Sequence, residues 1–393
     1  MALTDQDITR LRADTAGCEA RIHFNNAGAS PVPNPVHAAV TAHLERECQV
    51  GGYRAEAEAA EALGRFYSNF ATLLNASADE IAYVENATRA WDMVFYGLKL
   101  VPGDRVLTHG AEYVSNYLGM LQVAQTRGIH IDIIPSDAHG QLDVGAMDAL
   151  VTPQTRCVAI THVPTQGGLV NPAEAVGRVA RRHKLFYLLD ACQSAGQIAL
   201  DVEAIGCDAL SGTGRKFLRG PRGTGFLYVR RSALDRIDPP FVDLRAAHWE
   251  SDAHYRLADG ARRFENWESY VAGKIGLAEA VHYALDLGVD AIAQRVQHLA
   301  GTLRRSLSDL PGVAVHDQGE TRCGIVTFDK HGTSPDSIAN ALEAQSMAVS
   351  VSTLSSARLD LGVRGLENLV RASVHCFNTE AEISRFCDAV AAL

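Results

Sequence analysis

The sequence predicts an α/β protein with two units. The larger is built on a mostly parallel, seven-stranded sheet flanked by helices, and the smaller is an α+β C-terminal unit. Three observations predict this. Short apolar runs alternate with helical patterns from residue 76 to residue 230, as parallel strands joined by crossover helices do. One run, Phe186–Asp190, is continuously apolar and ends in an acid. That pattern fits a buried strand delivering a carboxylate to the sheet's carboxyl edge, where open α/β sheets bind ligands. At 393 residues the chain can also bury a large core and make two domains. The expected division is an arm over 1–20, a large domain over 21–270 and a small domain over 271–393.

Composition narrows the class. Hydrophobic residues at 47% and charged residues at 21% describe an ordinary globule. The net charge is −10 with no basic run, which argues against nucleic acid as a partner. No apolar stretch reaches membrane-spanning length, and the first residues, MALTDQDITRLRAD, are too polar for a signal peptide. Eight cysteines are scattered without CxxC or Cys/His ligand spacing. The expectation is reduced thiols in a cytoplasmic enzyme, with no metal.

Taken in order, residues 1–20 read as a short helix or arm. Residues 24–31 (FNNAGASP) form an extended turn, either a plain Gly/Pro turn or a loop over a site. Residues 36–47 and 55–74 are amphipathic helices. Between them Gly51, Gly52, Tyr53 and Arg54 make a helix break carrying an aromatic and a cation. Ile81–Val84 is a strand, and a helix follows from Ala90. A helix N-terminus suits a phosphate, although Thr88 alone would be only a cap. Further strands fall at 105–108, 129–135 and 157–162, with a helix at Val144–Leu150.

After Phe186–Asp190, a strand over 207–210 leads into Ser211, Gly212, Thr213, Gly214, Arg215 and Lys216. Pro221 and three glycines then turn the chain into a strand over 226–229. An irregular, charged region precedes a long helix, Val271–Leu287. The small domain follows, with helices over 290–310, 335–345 and 380–392 and strands over 313–316, 324–328 and 369–375. An acid at one strand end and a lysine just past the next suit pyridoxal phosphate. That cofactor needs an amine for its aldehyde, an acid at its pyridinium nitrogen and donors at its phosphate.

Asp190-x-x-Gln193 and the block from Ser211 to Lys216 resemble the core of the class V aminotransferase family of fold-type I pyridoxal-phosphate-dependent transferases. Cysteine desulfurases, selenocysteine lyases, isopenicillin N epimerases and the ergothioneine-pathway C–S lyase belong to it. The likeness runs from Asn25 to the C-terminus. It implies that Lys216 holds the cofactor and moves the substrate Cα proton. It implies that Asp190 keeps the pyridinium nitrogen protonated and that Gln193 bonds the phenolic oxygen. Ala87, Thr88, Thr213 and Arg215 fall where relatives hold the phosphate. Tyr113 stands where desulfurases stack a histidine; it can stack but cannot serve as an imidazole acid/base. Thr165 stands where they often place an asparagine. Asn25 and Ala27 fall in the loop over the active site; the Gly51–Arg54 break, read from its own residues, is either a solvated loop or one that brings Tyr53 to the substrate or the partner subunit. Arg371, in Val370-Arg371-Ala372-Ser373, falls where the family grips the α-carboxylate.

The resemblance also implies a homodimer, its active site at the subunit interface, with residues 264–270 closing the partner's phosphate site. Relatives carry a threonine there where this chain has Glu268 or Ser269. Desulfurases need a mobile thiol, yet residues 350–365 contain no cysteine, and Cys376 and Cys387 lie beyond. The expectation is therefore β-elimination from a cysteine S-conjugate or sulfoxide, giving pyruvate and ammonia. The alternatives are an epimerase or racemase of the isopenicillin N epimerase kind, a desulfurase-like enzyme, an aminotransferase, and a cofactor-binding regulatory protein.

Overall fold

The computed structural model describes residues 2–393. Seven strands form the large sheet: β1 Ile81–Val84, β2 Arg105–His109, β3 His130–Ile134, β4 Thr155–Thr161, β5 Phe186–Asp190, β6 Ala209–Thr213 and β7 Gly225–Val229. Their order across the sheet is β1-β7-β6-β5-β4-β2-β3. β7 runs antiparallel to both neighbours, and every other pairing is parallel.

β5 and β7 are nearly apolar along their whole length and fully buried, because both sheet faces are covered there. Val158 and Ile160 of β4 and Tyr187 and Leu189 of β5 enter one core, with Val176 and Ala180 of the helix Ala173–His183. The alternate residues Cys157, Ala159, Phe186 and Leu188 enter the other, against Trp91 and Phe95 of the helix Ala87–Phe95.

β6 extends to Thr213, past the expected end at Leu210. Gly212 pairs with Phe226 across the ladder, and a Cβ at Gly212 would lie 2.3 Å from the Phe226 ring. The glycine thus serves a close ring–backbone approach inside a strand, where composition suggested a loop. The Gly51–Arg54 break shrinks to Gly51 itself, at φ 82°. The helix Asn34–Val50 ends there, and helices Gly52–Glu58 and Ala60–Leu74 follow, so Tyr53 is helical. The region expected to be irregular holds an antiparallel hairpin, Ala247–Ser251 with His254–Leu257. Its cross-strand aromatics Trp249 and Tyr255 are 82% and 60% exposed, so no half-buried alternation marked it in the sequence.

A four-stranded sheet organises the C-terminal unit. Its order is Val313–Val315, Ile325–Lys330, Asn368–Ser373, Ser350–Thr353, all antiparallel. The polar edge strand Ser350–Thr353 had no apolar signature in the sequence. Helices Val289–Ser308, Pro335–Glu343 and Glu380–Ala391 supply Leu299, Leu303, Ile338 and Phe386 to its core. Phe24 joins that core, and Ile22–His23 pairs in parallel with Met347–Ala348. The helix Val271–Leu287 instead buries Leu277, Ala280 and Val281 in the large-sheet core. We therefore place the division between the units at Gly288, with the strand at 22–23 belonging to the second. Among the described residues, no helix is long and apolar enough to cross a membrane.

Candidate active site

The carboxyl ends of β1, β2, β4, β5 and β6 converge on a cavity of about 420 Å³. Every residue that the family resemblance assigns to the cofactor lines it. This is the edge at which a parallel sheet presents side chains without blocking its own hydrogen bonds.

β5 delivers Asp190 and β6 delivers Lys216, just past the strand end. Asp190 is 3% exposed. Its Oδ1 accepts the Cys192 N–H at 2.8 Å and its Oδ2 accepts the Asn116 amide at 2.8 Å. Lys216 is 7% exposed, with Nζ 5.9 Å from the centre of the Tyr113 ring. Burial, foremost, pulls its pKa below the ordinary lysine value; Arg215 and Arg371 add to this, and Cys192 and Asp190 oppose it.

At the end of β1, the helix Ala87–Phe95 opens towards the cavity. The Asn86 side chain accepts the Arg89 N–H at 2.9 Å, leaving the N–H groups of Ala87 and Thr88 at the helix's open end. Arg215 donates to the Gly28 carbonyl, and the Thr213 hydroxyl donates to the Thr224 carbonyl at 3.3 Å.

Arg371 reaches the same place from the C-terminal unit. One amino group donates to the Thr165 carbonyl at 3.1 Å and hydroxyl at 2.6 Å; the other donates to Asn25 at 3.4 Å. Its Nε is buried without a partner. Among the described residues, no acidic side chain pairs with Arg371 or Arg215. Burial, with help from Arg215, lowers Arg371 to about 10, so it remains a cation near neutral pH. A buried guanidinium without a carboxylate is costly unless an anion comes to it. Three cations, Arg371, Arg215 and Lys216, thus gather here, and Asp190 is the one carboxylate of the cavity lining.

Gln193 donates to Thr165 Oγ1 and to the Ala27 carbonyl, both at 3.0 Å, and its own Oε1 is buried with no partner. The Thr165 oxygen accepts from both Arg371 and Gln193, which leaves the hydroxyl proton free to donate.

Asn25 and Ala27 therefore join this cluster through Arg371 and Gln193. Tyr53 does not. It is 77% exposed and lines a separate groove of about 1320 Å³ together with Trp267, Glu268, Ser269 and Tyr270. It sits in the helix Gly52–Glu58, which borders that groove. His162 is buried after β4 and pushed down to about 4 by that burial, so it stays a neutral packing residue. Sequence reasoning gave no role to Asn116, Glu112 or Thr161. Asn116 and Thr161 line the cavity, and Glu112 accepts a hydrogen bond from each. The four-residue spacing of Glu112 and Asn116 was the available signal.

The donor set fits pyridoxal phosphate. An amine and a carboxylate share one cavity, a helix N-terminus and a guanidinium offer a phosphate site, and Thr165 and Gln193 keep unused hydrogen-bonding capacity. The aminotransferase class-V family profile matches residues 22–386. A probable cysteine desulfurase of Methanothermobacter thermautotrophicus is 29% identical over 380 residues, 95% of this chain and 94% of that one. The apo cysteine desulfurase of Thermococcus onnurineus NA1 superposes with a TM-score of 0.91 at 26% identity, covering 100% of this chain and 99% of that one. A C-DES mutant with glycine covalently linked to its PLP cofactor has the same fold, with a TM-score of 0.88 at 24% identity over 97% of this chain and 98% of that one. With the profile matching all but the two ends, this chain belongs to the class V aminotransferase family of pyridoxal-phosphate-dependent enzymes.

Proposed function

We propose that this enzyme is a C–S lyase acting on a cysteine S-conjugate or its sulfoxide. Bound pyridoxal phosphate would supply an electron sink for the pair released at Cα. Lys216, desolvated and so more readily neutral, takes the Cα proton. The electron pair left at Cα forms the Cα–Cβ double bond while the Cβ–S pair departs with sulfur, which takes up a proton. Aminoacrylate is released and hydrolyses to pyruvate and ammonia. Asp190 would hold the proton on the ring nitrogen. Ala87, Thr88, Thr213 and Arg215 would hold the phosphate, and Tyr113 would cover the ring. Arg371 keeps Nε–H and one further N–H free for the substrate carboxylate, a bidentate fit.

One observation carries elimination over sulfur relay. Residues 350–365 offer no thiol to attack the substrate sulfur. They fold as the strand Ser350–Thr353, a 3-10 turn and the short helix Arg358–Leu361. The cavity's one thiol, Cys192, is buried between Asp190 and Gln193, and burial pushes its pKa up, against thiolate formation. Cys376 and Cys387 are 1% and 6% exposed.

The decisive assay follows carbon products from a panel of cysteine thioethers and sulfoxides. Elimination yields pyruvate, desulfuration yields alanine, and epimerisation yields neither while inverting Cα. No pyruvate from any member of the panel sinks the lyase reading. Desulfurase-like chemistry is the second reading, because the relative from M. thermautotrophicus carries that name.

We further infer a homodimer formed across the larger groove. Trp267 and Tyr270 there are 50% and 42% exposed, more aromatic surface than a monomer usually leaves in one place. A monomeric sedimentation coefficient at micromolar concentration counts against it.

A further inference from the structure

The ends of β2, β4 and β5 meet around Asp190. Glu112 is 4% exposed and sits at their hub. Its Oε1 accepts the Thr161 hydroxyl, the Tyr113 N–H at 2.8 Å and the Asn116 amide at 3.0 Å. Its Oε2 accepts the Thr108 hydroxyl at 3.1 Å. Thr108 is near the end of β2, and Thr161 ends β4 directly beside Asp190 in the ladder. The same Asn116 nitrogen that contacts Glu112 donates to Asp190 at 2.8 Å. Two buried carboxyl groups thus share one amide, and among the described residues no cation pairs with Glu112.

We propose that Glu112 is a positioning residue for Asp190: through Asn116, its charge sets how tightly the Asp190 carboxylate holds the proton on the cofactor's ring nitrogen. The proposal rests on the cofactor reading of the cavity and is independent of which reaction follows. A neutral Glu112 leaves Asn116 free to orient Asp190 without repulsion. An ionised Glu112 adds a second negative charge across the amide and raises the ring nitrogen's hold on its proton.

Burial, foremost, with Asp190 adding, pushes Glu112 up to about 7, against the hydrogen bonds from Thr161, Asn116 and Tyr113. The switch therefore lies near neutral pH. The other charged groups here are Lys216 and Arg215, which line the cavity with Asp190, and Arg371, bonded to the lining residue Thr165. His109 and His162, at the ends of β2 and β4, are each pushed down to about 4 by burial and stay neutral in this range.

The test is a pH titration of the visible cofactor band of the holoenzyme, with the cofactor Kd measured at about pH 6 and about pH 8.5. Wild type should show an inflection near neutrality and a severalfold tighter Kd at the higher pH. Glu112→Gln, matched in shape and always uncharged, should lose both. Asn116→Ser, which removes the bridge but keeps the acid, should lose both as well. A wild-type band and Kd without that pH dependence would overturn the proposal even if neither variant folded, and so would an inflection surviving in Glu112→Gln. Absence of any visible band in wild type would overturn it together with the cofactor reading, which separates the two failures.

Discussion

Arg371 offers the sharpest test of the site. Its guanidinium has five N–H donors. Two go to Thr165 and one to Asn25, leaving two, including the unpartnered Nε–H. Each charge-assisted hydrogen bond to a substrate carboxylate contributes about 1.5–3 kcal/mol. Losing both costs about 3–6 kcal/mol, and each 1.4 kcal/mol is about tenfold. Arg371→Ala should thus lower kcat/KM by about 10²–10⁴. Arg371→Lys keeps a charge but not the fork, and should lose about one bond's worth, about 10–100-fold. The assay compares an amino-acid substrate with the corresponding amine that lacks the α-carboxylate. In wild type the amine should be poor. In Arg371→Ala the two should converge, because the residue that told them apart is gone. If the variant loses the same factor on both substrates, Arg371 acts on the fold or the cofactor, and the carboxylate clamp is refuted.

Other outcomes follow from the same geometry. Lys216→Ala should lose the visible band that pyridoxal phosphate gives wild type, since no other amine of the cavity lining can replace it; a retained band would move the attachment elsewhere. Tyr113→Phe should keep most activity and Tyr113→Ala should weaken cofactor binding about 2- to 12-fold, the value of a stacked ring; a dead Tyr113→Phe would give the hydroxyl a chemical role. Lys274 is 5% exposed, with Nζ 2.6 Å from the Tyr67 hydroxyl and 4.3 Å from that ring's centre. Burial, foremost, pushes it down to about 8. Between about pH 8 and the ordinary lysine value of about 10.4, the unfolded chain then binds the extra proton. Stability should rise with pH across that window. The gain should approach about 3 kcal/mol in wild type and vanish in Lys274→Met, as read by urea denaturation at both ends; equal slopes would refute it.

Much of the fold was legible because it rests on local signals. β4 and β5 announce themselves as apolar runs, since both faces of a parallel strand are covered. Asp190 and Lys216 stand out because strand ends and glycine-rich turns have short-range signatures. The hairpin at 247–257 and the edge strand Ser350–Thr353 stayed hidden. Their residues are polar or exposed on the face that would otherwise alternate, so no period of two appears. The end of β6 was missed because Gly212 reads as a loop until the Phe226 ring is seen lying on it.

The sequence by itself determined the α/β class, the seven strands, and the carboxylate and amine that meet in one cavity. Each is carried by a run of neighbouring residues, whose period and chemistry survive without knowledge of what packs against them. Tertiary structure alone decided the rest. It brought Arg371 to Thr165 across 206 residues of chain and left its charge unpaired. It put Tyr53 in a groove separate from the cavity that holds Asp190 and Lys216. It joined Glu112 to Asp190 through Asn116, a contact that spans 74 residues. Such contacts depend on where strand ends meet in space, and on burial that turns an ordinary acid into a titrating one; neither is written in any single stretch of the chain.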